Sequence, residues 1–181
     1  MVSGPGGVGK GTIAERLLES DDRLWLSRSW TTRERRPGEL EDSYVFVDRA
    51  AFQANIDAGG FLEWAEFQGN FYGTPWPDPP PGLDIVLEID VQGARSVRAQ
   101  DKDALLIFVD TPTRADQARR LRGRGDPEEA VQRRIQEGER ERSRAHELDA
   151  VVVINDELDR AVDEILDVIE RRRRDELEPD T

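Results

Sequence analysis

The sequence predicts one α/β domain: a three-layer core around a parallel sheet, interrupted by a small mixed or antiparallel lobe and by a long charged helix. Three observations predict it. A glycine-rich phosphate-binding loop, GPGGVGKGT, runs from Gly4 to Thr12 and opens directly into Ile13, Ala14, Leu17 and Leu18 at helical spacing. Apolar runs of strand length, LDIVLEIDV (83–91), ALLIFVD (104–110) and AVVVI (150–154), alternate with helical patterns, as parallel strands covered on both faces require. Between residues 43 and 73 the strand candidates instead mix aromatic with polar residues, which suits a lobe with one wet face.

The loop has the spacing G-x-x-x-x-G-K. Its glycines let consecutive backbone N–H groups turn inward around a phosphate, and Lys10 adds a mobile charge. Gly11 follows the lysine where Ser or Thr is usual, so the hydroxyl that would reach Mg²⁺ comes one place later, at Thr12. Only Met1, Val2 and Ser3 precede the loop, about half of an ordinary strand. A natural start further upstream is therefore expected.

Composition narrows the function. A chain of 181 residues suits one domain with a real core. Its residues are 36% hydrophobic and 36% charged, but the apolar ones cluster in periodic blocks, which argues against disorder. The net charge of −13 argues against nonspecific nucleic-acid binding. Lys10 and Lys102 are the only lysines, so any anion must be met by arginines such as Arg33, Arg35 and Arg36. With no cysteine, disulfides, zinc thiolates and thiol nucleophiles are excluded, and the single His146 reads as a surface residue. No apolar run reaches about 18 residues and no secretion signal opens the chain, so no membrane partner and a soluble, cytoplasmic location are expected.

In chain order, a helix is predicted from about Lys10 to Glu19, then a short strand from Leu24 to near Ser29. TTRERRPGE (31–39) is a loop with a turn at Pro37-Gly38. Ser43 to Asp48 reads as a strand, Ala50 to Ala58 as a helix stopped by Gly59-Gly60, and Phe61 to Phe67 and Phe71 to Gly73 as two more strands. PWPDPPP (75–81) can be neither helix nor central strand and reads as a rigid connector. A helix from about Val91 to Ala99 separates the first two core strands. After Pro112 a helix carrying Ala115, Ala118 and Leu121 ends at Gly123-Arg124-Gly125.

The next helix should have Asp126 as N-cap and Pro127 at its first position. It runs to about Ala145 with hardly an apolar residue, so it is either a solvated helix or one that closes over something charged. From Leu158 a C-terminal helix has a clean apolar stripe, and Arg171 to Arg174 complement its dipole at the end.

The loop, TTRERRPGE, FLEWAEFQGNFYGTP, VLEIDVQGA, RLRGRG and VVVIND, in that order, resemble guanylate kinases over nearly the whole chain. The resemblance implies the fold of a P-loop nucleoside monophosphate kinase: core 1–28, 83–123 and 148–175, a GMP-binding lobe 29–82, and a helical lid 124–147. It implies phosphorylation of GMP to GDP by ATP with Mg²⁺, with ATP and GMP as partners. The ATP site would be Gly4, Pro5, Gly6, Gly7, Val8, Gly9, Lys10, Gly11 and Thr12. Ser29, Glu63, Thr74 and Asp90 match positions that contact guanine, and Arg33, Arg36, Tyr44 and Tyr72 match those that grip the GMP phosphate. Lys10, Arg120, Arg124 and Arg134 would serve the transfer itself.

Some positions depart from the family. Arg35 stands where proline is usual, and the loop before Tyr44 is about one residue shorter. The segment PWPDPPPGLD replaces a helix that normally precedes the LEID strand, so that helix is expected to be lost while Thr74 and Asp90 keep their places. Two other readings compete: a kinase of a ribose bisphosphate, and a phosphopeptide-binding module without turnover. Such modules typically lose the phosphate loop, whereas Gly4, Gly9, Lys10 and Thr12 are present here.

Overall fold

At the centre of the molecule lies a strand of two residues, β1 (Val2–Ser3), both buried. The structure is a computed structural model and describes residues 1–36, 39, 41–67 and 69–177. The turn expected at Pro37-Gly38 lies outside the described residues.

So short a strand persists because it is paired on both sides. On one, Val2 and Ser3 run parallel to Ile107 and Phe108 of β8 (Ile107–Asp110). On the other, Val2 bridges to Glu88, and the Ile89 N–H donates to the Val2 carbonyl at 3.2 Å. That bridge joins β7 (Asp84–Leu87), which pairs with β2 (Leu24–Ser27), to the central sheet. With β9 (Val151–Ile154) beside β8, the parallel order is β2-β7-β1-β8-β9.

Helices cover both faces, as an apolar parallel sheet demands. On one, Ile13 and Leu17 of α1 (Lys10–Ser20) and Ala161, Val162 and Ile165 of α6 (Leu158–Leu177) pack on Val2, Val86, Ile107, Val109 and Val153. On the other, Ala94 and Val97 of α3 (Val91–Gln100) meet Leu87, Ile89 and Leu106. Capping sets the helix starts: Asp90 accepts from the Gly93 N–H, and Thr113 accepts from Asp116 N–H at the head of α4 (Arg114–Gly123).

The inserted lobe is a mixed sheet of order β4-β3-β6-β5. It comprises β3 (Trp30–Thr31), β4 (Val45–Phe46), β5 (Phe61–Phe67) and β6 (Asn70–Pro75). Phe52 of α2 (Arg49–Asp57) fastens it, stacking on Phe61 at 4.5 Å between ring centroids and packing at a tilt on Phe71 at 5.4 Å. Gly73 allows this approach, since a Cβ there would lie 3.0 Å from the Phe52, Phe61 and Trp64 side chains.

Several expectations need correction. The strand expected from Leu24 to Ser29 ends at Ser27, and Trp30-Thr31 pairs in the lobe, because the chain changes sheets between them. The strand expected over Ser43 to Asp48 shrinks to Val45–Phe46, which among the described residues pairs with β3 alone. The helix α5 (Glu128–Glu147) starts one residue later than predicted, with Pro127 rather than Asp126 at its N-cap. The Asp126 carboxylate is taken instead by Arg124, at 2.8 Å, a stronger partner than a neutral amide.

Nor is α5 devoid of a packing face. Val131 is buried against Ala118 and Leu121 of α4, Ile135 joins them, and Ala145 packs on Val91 and Phe108. The connector after Thr74 behaves as its prolines require: residues 76–83 hold no helix, and Trp76 anchors them by donating from Nε1 to the Gly59 carbonyl at 3.1 Å. Among the described residues no helix is long and apolar enough to cross a membrane.

The arginine run ends α6 as an anchor. Arg173 reaches Asp21 and Asp84 at 2.6 Å each and Glu170 at 2.8 Å, tying the helix end to the α1–β2 turn and the start of β7. Bonds from Arg23 and Arg173 hold the Asp21 carboxyl below the usual carboxylate range. Its contribution is therefore present at neutral pH and lost as the pH falls. Asp21→Asn is expected to cost about 1 kcal/mol at pH 7, with the deficit fading as acid protonates the wild-type aspartate. Urea denaturation across pH checks this; a deficit independent of pH would contradict it.

Candidate active site

A cleft of about 700 Å³ opens at the C-terminal ends of the parallel strands. The phosphate loop forms its floor, the lobe one wall, and α4 and α5 the other.

The loop is built by its carbonyls as much as by its amides. Gln117 donates from Nε2 to Gly6 O at 2.9 Å, and Val8 O accepts from both Asn155 Nδ2 (2.8 Å) and Arg120 (3.0 Å). With these carbonyls held by α4 and the end of β9, the opposite side of the peptide ribbon is left to face an anion. Gly4 sits at φ +142, where a Cβ would fall 2.2 Å from the Val109 carbonyl, and Gly9 at φ +97 is the left-handed N-cap of α1. Val8 is fully buried in the core, so it offers only backbone. Lys10 Nζ arches over the loop and donates to Gly4 O at 2.6 Å. Thr12 is exposed on the first turn of α1 and lines the cleft.

On the lobe wall, Glu63 projects from β5 and accepts from the Thr74 hydroxyl at 2.5 Å. Burial pushes its carboxyl above the usual range, and the nearby Asp90 charge pushes the same way. Glycine at 93 leaves room for it in this position, because a Cβ there would lie 2.9 Å from Glu63 Oε2. Thr74 is wholly buried behind the carboxylate and not in the wall, with Ser29 Oγ 3.4 Å from its hydroxyl. Asp90 lines the cleft while one of its oxygens caps α3.

Arg33 is gripped by Glu39 through bonds of 2.7 and 2.9 Å, and its guanidinium lies 5.5 Å from the Tyr44 ring. Tyr72 packs edge-on against Tyr44 at 6.2 Å. Burial, with the Glu88 charge, drives the Tyr44 hydroxyl above its ordinary range, so it stays a neutral donor. Arg36 comes from the lobe, Arg124 from the end of α4 and Arg134 from α5, and all line the cleft. Burial and mutual repulsion lower the pKa of both Arg36 and Arg134, with Arg124 acting on each. Guanidiniums brought together from separate elements against that repulsion make a site for a polyanion.

The chain as a whole, with its phosphate loop and inserted lobe, is matched by known proteins. A sequence model of guanylate kinases covers residues 1–172. The chain belongs to the guanylate kinase family. It is 48% identical over 172 residues to the guanylate kinase of Synechococcus sp. (strain CC9902), covering 91% of each chain. The guanylate kinase of Rubrobacter xylanophilus is 43% identical over 177 residues, 94% of this chain and 92% of that one. The crystal structure of guanylate kinase from Anaplasma phagocytophilum superposes with a TM-score of 0.74 at 30% identity, over 94% of this chain and 82% of that one.

Of the residues predicted for a guanylate kinase site, all but the buried Val8 and Thr74 line this cleft, Arg120 among them. Arg120 also ties the loop to the end of β9, with NH1 donating to Val8 O and NH2 to Asn155 O at 2.6 Å. Sequence reasoning missed Asn155, Gln117, Glu39 and Glu88. Asn155 carried a signal, a polar residue at the end of a buried parallel strand, where α/β proteins place ligands. Glu88, one residue past β7, holds its Oε2 3.5 Å from where a Cβ at Gly11 would stand, with its carboxyl pushed up by burial. Only the fold brings it to the loop.

The repulsion among the arginines yields a test. Inorganic tripolyphosphate should raise the melting temperature of the wild type, and Arg36→Met should shrink that rise without lowering the melting temperature measured alone. Equal rises in both proteins would contradict the polyanion site.

Proposed function

We propose that the chain transfers the γ-phosphoryl group of ATP to GMP, giving ADP and GDP. The observation that supports this most is the pairing in one cleft of a phosphate loop with the Glu63–Thr74 carboxylate, arginines from lobe, α4 and α5 lying between them. A carboxylate accepts from the N1–H and N2–H₂ edge of guanine, an edge adenine lacks. The loop amides and Lys10 would hold the donor phosphates; Arg33, Arg36, Tyr44 and Tyr72 would hold the acceptor phosphate. In the transfer, an oxygen of the GMP phosphate forms the new P–O bond as the bond from the γ-phosphorus to the ADP oxygen breaks. That nucleophile is already an anion, so no general base is needed. Arg124 and Arg134 would neutralise charge spreading over the transferring group, with 124–147 acting as a lid.

Mg²⁺ fits the donor set in kind. Among the described residues no cluster of carboxylates or histidines could cage a metal by itself. The Thr12 hydroxyl and the Glu88 carboxylate are hard oxygen donors bordering the same loop, as suits an ion carried mainly by nucleotide phosphates. Bound there, the ion would withdraw charge from the donor phosphates.

An ADP-release assay across GMP, dGMP, AMP and a ribose bisphosphate, with phosphopeptide binding alongside, tests the reading. Turnover is expected with GMP; none with GMP but tight phosphopeptide binding would overturn it. Lys10→Ala should lower turnover by about 10²-fold or more. Glu63→Gln should raise the KM for GMP by about 10- to 100-fold. Because its carboxyl is pushed upward, acid should raise the KM for GMP in the wild type before it does so in Glu63→Gln. A GMP KM equally flat with pH in both would refute that role.

A further inference from the structure

The apolar stripe of α5 contains one residue that does not belong to it by composition. Val131, Ile135, Gly138 and Ala145 follow helical spacing on the packed face, and the position that completes the series is Arg142. Its side chain is 12% exposed, and the Asp110 carboxylate that it meets is 11% exposed. The pair is bidentate, Nε to Oδ2 and NH2 to Oδ1, each at 2.6 Å. A buried ion pair is poor evidence for stability, since an apolar pair of similar volume often serves as well. What such a pair supplies is a fixed register.

Here the register leads to the phosphate loop. Arg142 NH2 also donates to Gln117 Oε1 at 3.0 Å, and Gln117, fully buried on α4, donates from Nε2 to Gly6 O at 2.9 Å. A primary amide can turn over and exchange its oxygen for its nitrogen. With Arg142 holding the oxygen, only the nitrogen is left to face the Gly6 carbonyl. The same helix touches the loop directly: a Cβ on Gly138 would lie 3.1 Å from Pro5 Cβ and 2.8 Å from Arg142 NH1.

We propose that Arg142 is a positioning residue for donor phosphate binding. Through Asp110 it seats α5, and through Gln117 it fixes the Gly6 peptide so that the loop amides face the anion. None of these side chains lines the cleft. The inference rests on the reading of the loop as the ATP site, and its test separates the two. In steady-state kinetics Arg142→Met and Gln117→Met should each raise the KM for ATP by about tenfold, with the KM for GMP within about twofold of wild type. The double variant should resemble either single one, because both break the same chain of bonds. Arg142→Lys, which keeps charge but not the bidentate fork, should fall between.

A lower melting temperature with both KM values unchanged would show a merely structural role and overturn the proposal. Gln117→Met leaves the ion pair in place and decides the matter if Arg142→Met does not fold. Calorimetric binding of inorganic tripolyphosphate reads the loop without turnover. Weaker binding by either variant supports the proposal and unchanged binding refutes it, even if the wild type fails to phosphorylate GMP.

Discussion

The arrangement of the cleft depends on where the carbonyls of the phosphate loop go. A run of peptides can offer its N–H groups to an anion only if the oxygens are satisfied elsewhere, and here Gln117, Arg120 and Asn155 satisfy them. Two come from neighbouring turns of α4 and the third from just beyond β9, far along the chain from the loop. The loop is thus a property of the assembled core, and the short β1 that carries it is stable because strands flank it on both sides.

Electrostatics is organised in the same way. The chain carries a net charge of −13, yet its cleft gathers Arg33, Arg36, Arg124 and Arg134. Glu39 pairs with Arg33 and Asp126 with Arg124 and Arg134, and the remaining repulsion favours a ligand with several negative charges. The lobe adds the opposite condition, a carboxylate in a setting that penalises its charge unless donors meet it. Under the proposed function a guanine nucleotide would satisfy both, with phosphates for the arginines and a guanine edge for Glu63.

The α5 helix shows how local reading can mislead. Its sequence, EEAVQRRIQEGERERSRAHE, is almost wholly polar, and pattern alone gives no packing face. The structure has one nonetheless, narrow and partly made by glycine and by a buried arginine, because α4 and the loop present a close surface that needs little side-chain volume. The displaced cap at Asp126 has a related cause: Arg124 and Arg134, from two different elements, are stronger partners for its carboxylate than the helix amides.

The sequence by itself determined the loop, the alternation of apolar strands with helices, the loss of a helix in the proline-rich connector, and most residues that meet in the cleft. These follow from local chemistry: glycine dihedrals, proline geometry, strand-length apolar runs and motif order. Only the tertiary structure decided that Arg120 ties the loop to the end of β9, that Thr74 backs Glu63 from outside the wall, and that Glu88 and Arg142 belong to the same neighbourhood. Those roles depend on which side chain is nearest across an interface between elements far apart in the chain, and no local pattern carries that distance.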